Sequence, residues 1–210
     1  MYSPPAYRED RLDVLHALMR EWSFATIVSM GPDGILATQL PFLLDENGGK
    51  GRLVTHLARN NPQWRHFERG EEALVVFQGP HAFISPSWYD NRHTFPTWNY
   101  TAVHAYGRPV LNTDPDWLRA LLRRVIDTYD TPLGGPWRFD DMPESEIAPR
   151  LKAIVGVEIA IDRLEGKLKL NQDKSQQDRD GVVAALERTD VPGARETAEA
   201  MTRFVPRSGR

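Results

Sequence analysis

Cysteine is absent from the chain. Disulfides, zinc–thiolate sites, iron–sulfur clusters and a thiol nucleophile are thereby excluded. An excess of charge of one sign is also missing. The 26 Lys and Arg residues face 29 Asp and Glu, a formal net charge of −3, which argues against a broadly basic nucleic-acid-binding surface. The opening "MYSPPAYRED" has no apolar signal core, and no window approaches membrane-spanning length. The expectation is a soluble, cytoplasmic protein. No P-loop, no G-x-G-x-x-G after a strand and no G-x-S-x-G elbow is present. What remains is 210 residues, 40% of them apolar. That is enough for a real core, in one domain with a decorated edge or small appendage.

The spacing of Leu12, Leu15, Leu18, Met19 and Trp22 predicts an amphipathic helix over roughly Arg8 to Glu21. "FATIVSM", "ILATQLPFLL" and "RLVTHLA" read as strands joined by "GPDG" and "DENGGKG" turns, an antiparallel meander. Pro41 inside the second strand predicts an edge or a bulge. A short helix is expected to open at Asn61-Pro62. "EEALVVFQG" and "HAFISPS" read as two strands with a turn at Gly79-Pro80. "NYTAVHAYGRPVLN" reads as one long strand, and Asp114-Pro115 starts a clear helix. "DTPLGGPWRFDDMPE" is long enough for a lid or binding loop, and its carboxylates read as solvated charges. "IVGVEIAIDRLEGKLKL" is a strand region, followed by a helix around Val182 to Leu186 and a helical tail that frays at "VPRSGR". The sum is six or seven strands and four or five helices. That pattern predicts a mainly β, antiparallel barrel with attached helices, not an alternating βαβ layout.

Three stretches carry candidate chemistry. "LVTHLARNNPQW" delivers Thr55 and His56 on a strand, Arg59 at the turn and a helix start at Asn61. Those groups can cradle a phosphate, or form an ordinary strand-to-helix turn. "GPHAFISPSWYDNRHTFPTWNY" gathers Trp88, Tyr89, Phe95, Trp98 and Tyr100 with Ser85, Ser87 and Asn99. It can wall a planar ligand, or pack a barrel end or dimer interface. Lys167 and Lys169 alternate on one strand face, over an anionic ligand or as protection of an exposed edge. The six histidines show no H-x-x-x-H spacing and no accompanying carboxylate cluster, so no metal site is assigned. The long loop after the 114–130 helix leaves no helix-turn-helix.

"ATQLPFLLD", "THLARNNPQW", "GPHAFISPSWY", "FPTWNYTAVHAYG" and "KLKLNQDKSQQDRDGV" occur in that order. Together they resemble the PaiB-type family, named as FMN-binding negative transcriptional regulators, from about "SPPAYRED" to "GVVAAL". The resemblance implies an FMN-binding split β-barrel, antiparallel and of Greek-key type. It implies a homodimer with noncovalent FMN at the subunit interface. The phosphate would lie at Thr55, His56, Arg59 and Asn61, and the ring near Thr38, Gln39 and Pro41 with Trp98 and Asn99. Lys169 joins them as a candidate cofactor-binding cation. Residues 1–165 would form the barrel, with the 114–130 helix inserted, and 166–210 a strand end and helices packed on it. Where the family often has histidine in "ATHLPF", this chain has Gln39. An amide keeps a donor and an acceptor but does not titrate, which weakens proton transfer, haem or metal binding there. No catalytic residue is assigned. The alternatives are an FMN-dependent oxidoreductase or NAD(P)H:flavin reductase, a haem-binding barrel with His56, His81 or His104 as axial ligand, a cofactor-free barrel, and a repressor binding DNA through an unidentified surface.

Overall fold

The computed structural model describes residues 1–205. The expected fraying of the tail therefore falls, from residue 206 on, outside the described residues. Ten strands form among the described residues: β1 (Arg8–Glu9), β2 (Phe24–Gly31), β3 (Gly34–Pro41), β4 (Leu43–Asp45), β5 (Arg52–Ala58), β6 (Ala73–Ile84), β7 (Thr97–Gly107), β8 (Pro109–Asn112), β9 (Ile154–Ala160) and β10 (Arg163–Lys169). Six α-helices accompany them: α1 (Leu12–Glu21), α2 (Trp64–Phe67), α3 (Pro115–Tyr129), α4 (Glu144–Lys152), α5 (Gln176–Arg188) and α6 (Ala194–Phe204). The described strand pairings are antiparallel, as the short turns predict.

Two compact units share the chain. One holds Met1–Leu18, Gln78–His104 and the described chain from Glu165 onward. Its strand order is β1-β10-β7-β6, and α5 and α6 bury Val182, Leu186, Ala198 and Met201. The other holds Met19–Phe77 and Ala105–Leu164. It contains the β2–β3 hairpin with the start of β6, and a four-stranded sheet ordered β4-β5-β9-β8. In this second unit Leu121 of α3 packs on Leu43 and Val54, while Leu118 packs on Ile147 and Leu151 of α4. Gly156 of β9 gives the Trp117 ring room that a Cβ would occupy.

The strand count exceeds the expectation because three apolar runs are broken where the chain changes sheet. The expected strand 35–44 ends at Pro41. Phe42 N instead bonds Ser23 O at 2.9 Å, and β4 begins in the other sheet. The 99–112 run breaks at Arg108, before Pro109. The 154–170 run breaks at Ile161–Asp162, whose amides donate to Gly51 O at 3.0 Å and Tyr106 O at 2.9 Å. Conversely, Gly79-Pro80 makes no turn, and β6 runs straight through it. The fixed φ of proline is compatible with extended backbone. The first helix starts at Leu12 and not Arg8, because Arg8 and Glu9 pair with Lys167 and Gly166 as β1. Helix α4 begins at the end of the expected loop, over residues for which the sequence predicts no element, and α5 starts early, with Ser175 accepting from Asp178 N as its cap. The long loop before α4 contains two 3₁₀ turns, Thr131–Leu133 and Phe139–Asp141.

The turn after β5 is tied to the β2–β3 hairpin by one side chain. Gln63 is fully buried. Its Nε2 donates to Ile27 O at 3.2 Å, Ser29 Oγ at 3.0 Å and Leu36 O at 3.1 Å. Ser29 Oγ also meets His66 Nδ1 of α2 at 3.1 Å, and the His66 ring lies where a Cβ on Gly31 would fall. Replacing Gln63 by leucine removes an amide whose two hydrogens are shared among these three acceptors. The expected outcome is a loss of about 1–3 kcal/mol of unfolding free energy, read as a lower urea midpoint. An unchanged midpoint would show the amide to be dispensable.

Candidate functional site

Within the second unit, two hydrogen bonds join β3 to β5 and the turn behind it. Asn61 Nδ2 donates to Thr38 Oγ1 at 2.9 Å, and Thr55 Oγ1 donates to Pro41 O at 2.6 Å. Segments 14 to 23 residues apart in sequence are thus brought together, as the pairs Thr38–Asn61 and Pro41–Thr55. Asn61 does not cap a helix directly. Its Oδ1 accepts from Gln63 N at 3.0 Å, and α2 starts only at Trp64. The side chain closes a tight turn first, which delays the helix.

Gln39 does not join this cluster. Side chains alternate along a strand, so Gln39 points to the opposite face of β3 from Thr38. Its register partner is Thr26, and the next pairs along the same face are Val28 with Ala37 and Met30 with Ile35. Phe24, Met30 and Ile35 on this face are 70%, 52% and 65% exposed. The Gln39 amide is exposed within this apolar surface and has no side-chain partner among the described residues.

Arg59 is exposed and held rigidly. Its Nε donates to Lys152 O at 2.8 Å and its Nη2 to Ile154 O at 3.1 Å, leaving Nη1 unbonded. Its own amide bonds Ala153 O at 2.8 Å, and its carbonyl accepts from Trp64 Nε1 at 2.9 Å. His56 is half-buried with Nδ1 unpartnered, and burial pushes its imidazole below the ordinary histidine value, toward the neutral form. No group of three or more His, Asp or Glu side chains able to hold a metal occurs among the described residues.

Within the first unit lie Trp98, Asn99 and Lys169. Trp98 is half exposed, edge-on to Phe83 at 5.9 Å and tilted against His81 at 6.1 Å. Asn99 is fully buried; its Nδ2 donates to Met201 Sδ of α6 at 3.3 Å, while Oδ1 has no partner. Lys169 Nζ donates to Thr97 Oγ1 and, at 2.9 Å, to Trp98 O. Burial lowers its pKa, with nearby Lys167 and Lys174 adding to the shift and Asp173 opposing it. Lys169 lines a recess of about 210 Å³ with Tyr7, Phe95, Asn171, Asp173 and Lys174. Lys167 is buried and donates to Tyr2 O at 3.1 Å, between the Tyr2 and Tyr100 rings. Since β10 lies between β1 and β7, these lysines do not guard an edge.

The aromatic stretch divides. Tyr89 is buried and accepts from Asn171 Nδ2 at 2.7 Å, and Ser85 Oγ accepts from Ser87 N at 3.2 Å, so these groups serve the fold. Phe83, Phe95 and Trp98 are exposed. Sequence reasoning passed over Gln63, because a glutamine after Asn-Pro looks like a solvated first turn. It also passed over Asn171, whose φ of 62° is the one positive value among described non-glycine residues. Asparagine tolerates that conformation, so "LNQD" carried a usable signal.

The family model described as "Putative FMN-binding domain" matches residues 1–163. "Protease synthase and sporulation protein PAI 2" of Bacillus subtilis is 34% identical over 201 residues, covering 96% of each chain. Among solved structures, the FAD and haem binding protein of Mycobacterium smegmatis aligns with a TM-score of 0.60 at 18% identity, over 85% of this chain and 80% of that one. The flavocytochrome Anf3 of Azotobacter vinelandii aligns with a TM-score of 0.58 at 13% identity, over 77% and 69%. At those identities the structures establish the fold, a split barrel. With the family model spanning most of its length and a relative matched end to end, the chain belongs to the PaiB-type family of FMN-binding split-barrel proteins.

Proposed function

We propose that the chain forms a cytoplasmic homodimer that holds FMN noncovalently beside the exposed β2–β3 face, and that the flavin-bound dimer is a negative regulator of transcription. One observation carries the reading. The Gln39 amide, with a donor and an acceptor both unused, sits within an exposed apolar strand face at a sheet edge. An edge strand with an apolar face calls for a cover. A flavin ring has apolar faces and a hydrogen-bonding pyrimidine edge, which suits an amide within such a surface.

The donor set fits the group. Thr55 and Asn61 already use their side chains inside the protein, so in this reading the phosphate falls to Arg59 through its unbonded Nη1. Half-buried His56 adds an unpartnered nitrogen. Lys169, Trp98 and Asn99 lie in the other unit and carry no part of this reading, Asn99 being fully buried. Bound FMN supplies the redox chemistry, and the chain's part is to bind it, orient it and keep water away. Repression rests on the family reading. The arginines of α3 are engaged with Glu144, Asp140 and Asp45, so DNA contact would use another surface.

The purified protein is expected to retain a flavin absorbance band through gel filtration after FMN is added. Arg59→Ala should weaken FMN about tenfold or more, the scale of one charge-assisted bond. Unchanged affinity would remove Arg59 from the phosphate, and a protein that never retains FMN would sink the reading.

Met30→Glu with Ile35→Glu should turn a dimer into a monomer by light scattering while leaving the circular dichroism intact. A persisting dimer would place the interface elsewhere.

The pH dependence of stability should carry a His56 component. The folded pKa lies below the ordinary histidine value of 6.5. Above 6.5 the imidazole is neutral in both states. Below it the unfolded chain takes up a proton that the folded chain refuses. Stability therefore falls as pH drops from 6.5 toward the folded value and levels off beneath it. His56→Gln should flatten that part of the urea-midpoint profile; an unchanged slope would show that burial of His56 is not what produces it.

A further inference from the structure

The second unit contains a cleft of about 500 Å³ of which the flavin reading uses only Arg59, at one wall. Pro115, Leu118 and Arg119 of α3, Ala148, Leu151 and Lys152 of α4, and Arg59 are among its walls. Its size falls within the range of small-molecule pockets. The floor is firm and aliphatic, because Leu118 and Leu151 also belong to the packed cluster around Ile147.

The charges around the cleft are the telling feature. Each arginine of α3 and α4 has a carboxylate partner. Arg119 bonds both oxygens of Glu144 at 2.7 Å, Arg123 pairs with Asp140, Arg124 with Asp45, and Arg150 with Glu146 at 2.9 Å. The Arg119–Glu144 pair thus leaves the cleft wall neutral at that point. Lys152 Nζ and the Asp116 carboxylate border the same cleft and have no partner among the described residues, nor are they paired with each other. Arg59 stands on this wall as a cation without a carboxylate, fixed by its bonds to the 152 and 154 carbonyls. Thr113 adds an unengaged hydroxyl. One cation and one anion, Lys152 and Asp116, unpaired beside an aliphatic floor, match a ligand that bears both signs of charge and an apolar body.

We infer that this cleft binds a zwitterionic α-amino acid with an aliphatic side chain. Its carboxylate lies at Lys152, its ammonium at Asp116, and its side chain over Leu118 and Leu151, while Arg59 is left to the flavin. The ligand is separate from the flavin. Lys152 and Asp116 have no role in the flavin reading, so the two can fail independently.

The test is calorimetric titration of the full chain with L-leucine, before and after saturation with FMN, with flavin retention read by absorbance on the same samples. Saturable one-to-one binding is expected, weakened at least tenfold by Lys152→Met and by Asp116→Asn, and unaffected by Gln39→Ala. Both cleft substitutions are at exposed positions, and circular dichroism checks that each variant folds. No heat up to millimolar L-leucine, or binding indifferent to both cleft variants, overturns the inference while leaving flavin retention to stand or fall by itself. Loss of L-leucine binding on adding FMN also overturns it, because the cleft would then belong to the flavin phosphate.

Discussion

A single buried amide disciplines the second unit. Gln63 Nε2 lies within hydrogen-bonding distance of three acceptors, two of them main-chain carbonyls of neighbouring strands, Ile27 O and Leu36 O. A fully buried amide without partners would cost free energy, and one with partners fixes the register of whatever carries them. Here it locks the turn behind β5 against the β2–β3 hairpin. The same lock holds Ser29 and, through it, the His66 ring over Gly31. With the turn fixed, Asn61 can reach Thr38 across 23 residues of sequence. The candidate site therefore depends on a residue that takes no direct part in it.

The second constraint is the alternation of β3. It lies at a sheet edge and ends at Pro41, a residue tolerated at edges because it has no N–H to offer a neighbouring strand. Thr38 is turned to the turn beneath and Gln39 to the opposite face. Two adjacent residues that look like one motif in sequence thus serve different tasks. Thr38 is structural, bonded to Asn61, while Gln39 is left with free hydrogen-bonding capacity among Phe24, Met30 and Ile35.

Much of the architecture was legible because its signals are local. Asp114 before Pro115 marks the start of α3, and the cap bond to Trp117 N forms at 2.8 Å. Pro41 marks an edge for a reason intrinsic to proline, and β5 matches "RLVTHLA" residue for residue. The breaks at Phe42, Arg108 and Ile161–Asp162 were not legible. Apolar β-type residues continue on both sides of each, and at Ile161–Asp162 the break coincides with long-range bonds such as Asp162 N to Tyr106 O. Thr38, Pro41, Thr55 and Asn61 were named from the motif order, and the structure pairs Asn61 with Thr38 and Thr55 with Pro41. That Arg59 would be bonded to carbonyls about 95 positions away, and that Asn99 would face Met201, has no local signature. Side-chain direction depends on the partner, and the partner is distant in sequence.

The choice of glutamine at position 39 now has a physical context. In the proposed dimer the β2–β3 face becomes covered, and any titratable group there would lose hydration for its charged form. A histidine in that place would be driven toward neutrality, and its protonation would oppose both dimerisation and flavin binding as pH falls. An amide offers the flavin edge a donor and an acceptor with no charge to desolvate. Half-buried His56 already shows the effect on this chain, its pKa lowered by burial alone. Gln39 would therefore make cofactor retention less sensitive to pH than a histidine-bearing relative, at the expense of proton transfer at that point. The exchange favours holding the flavin over proton chemistry beside it.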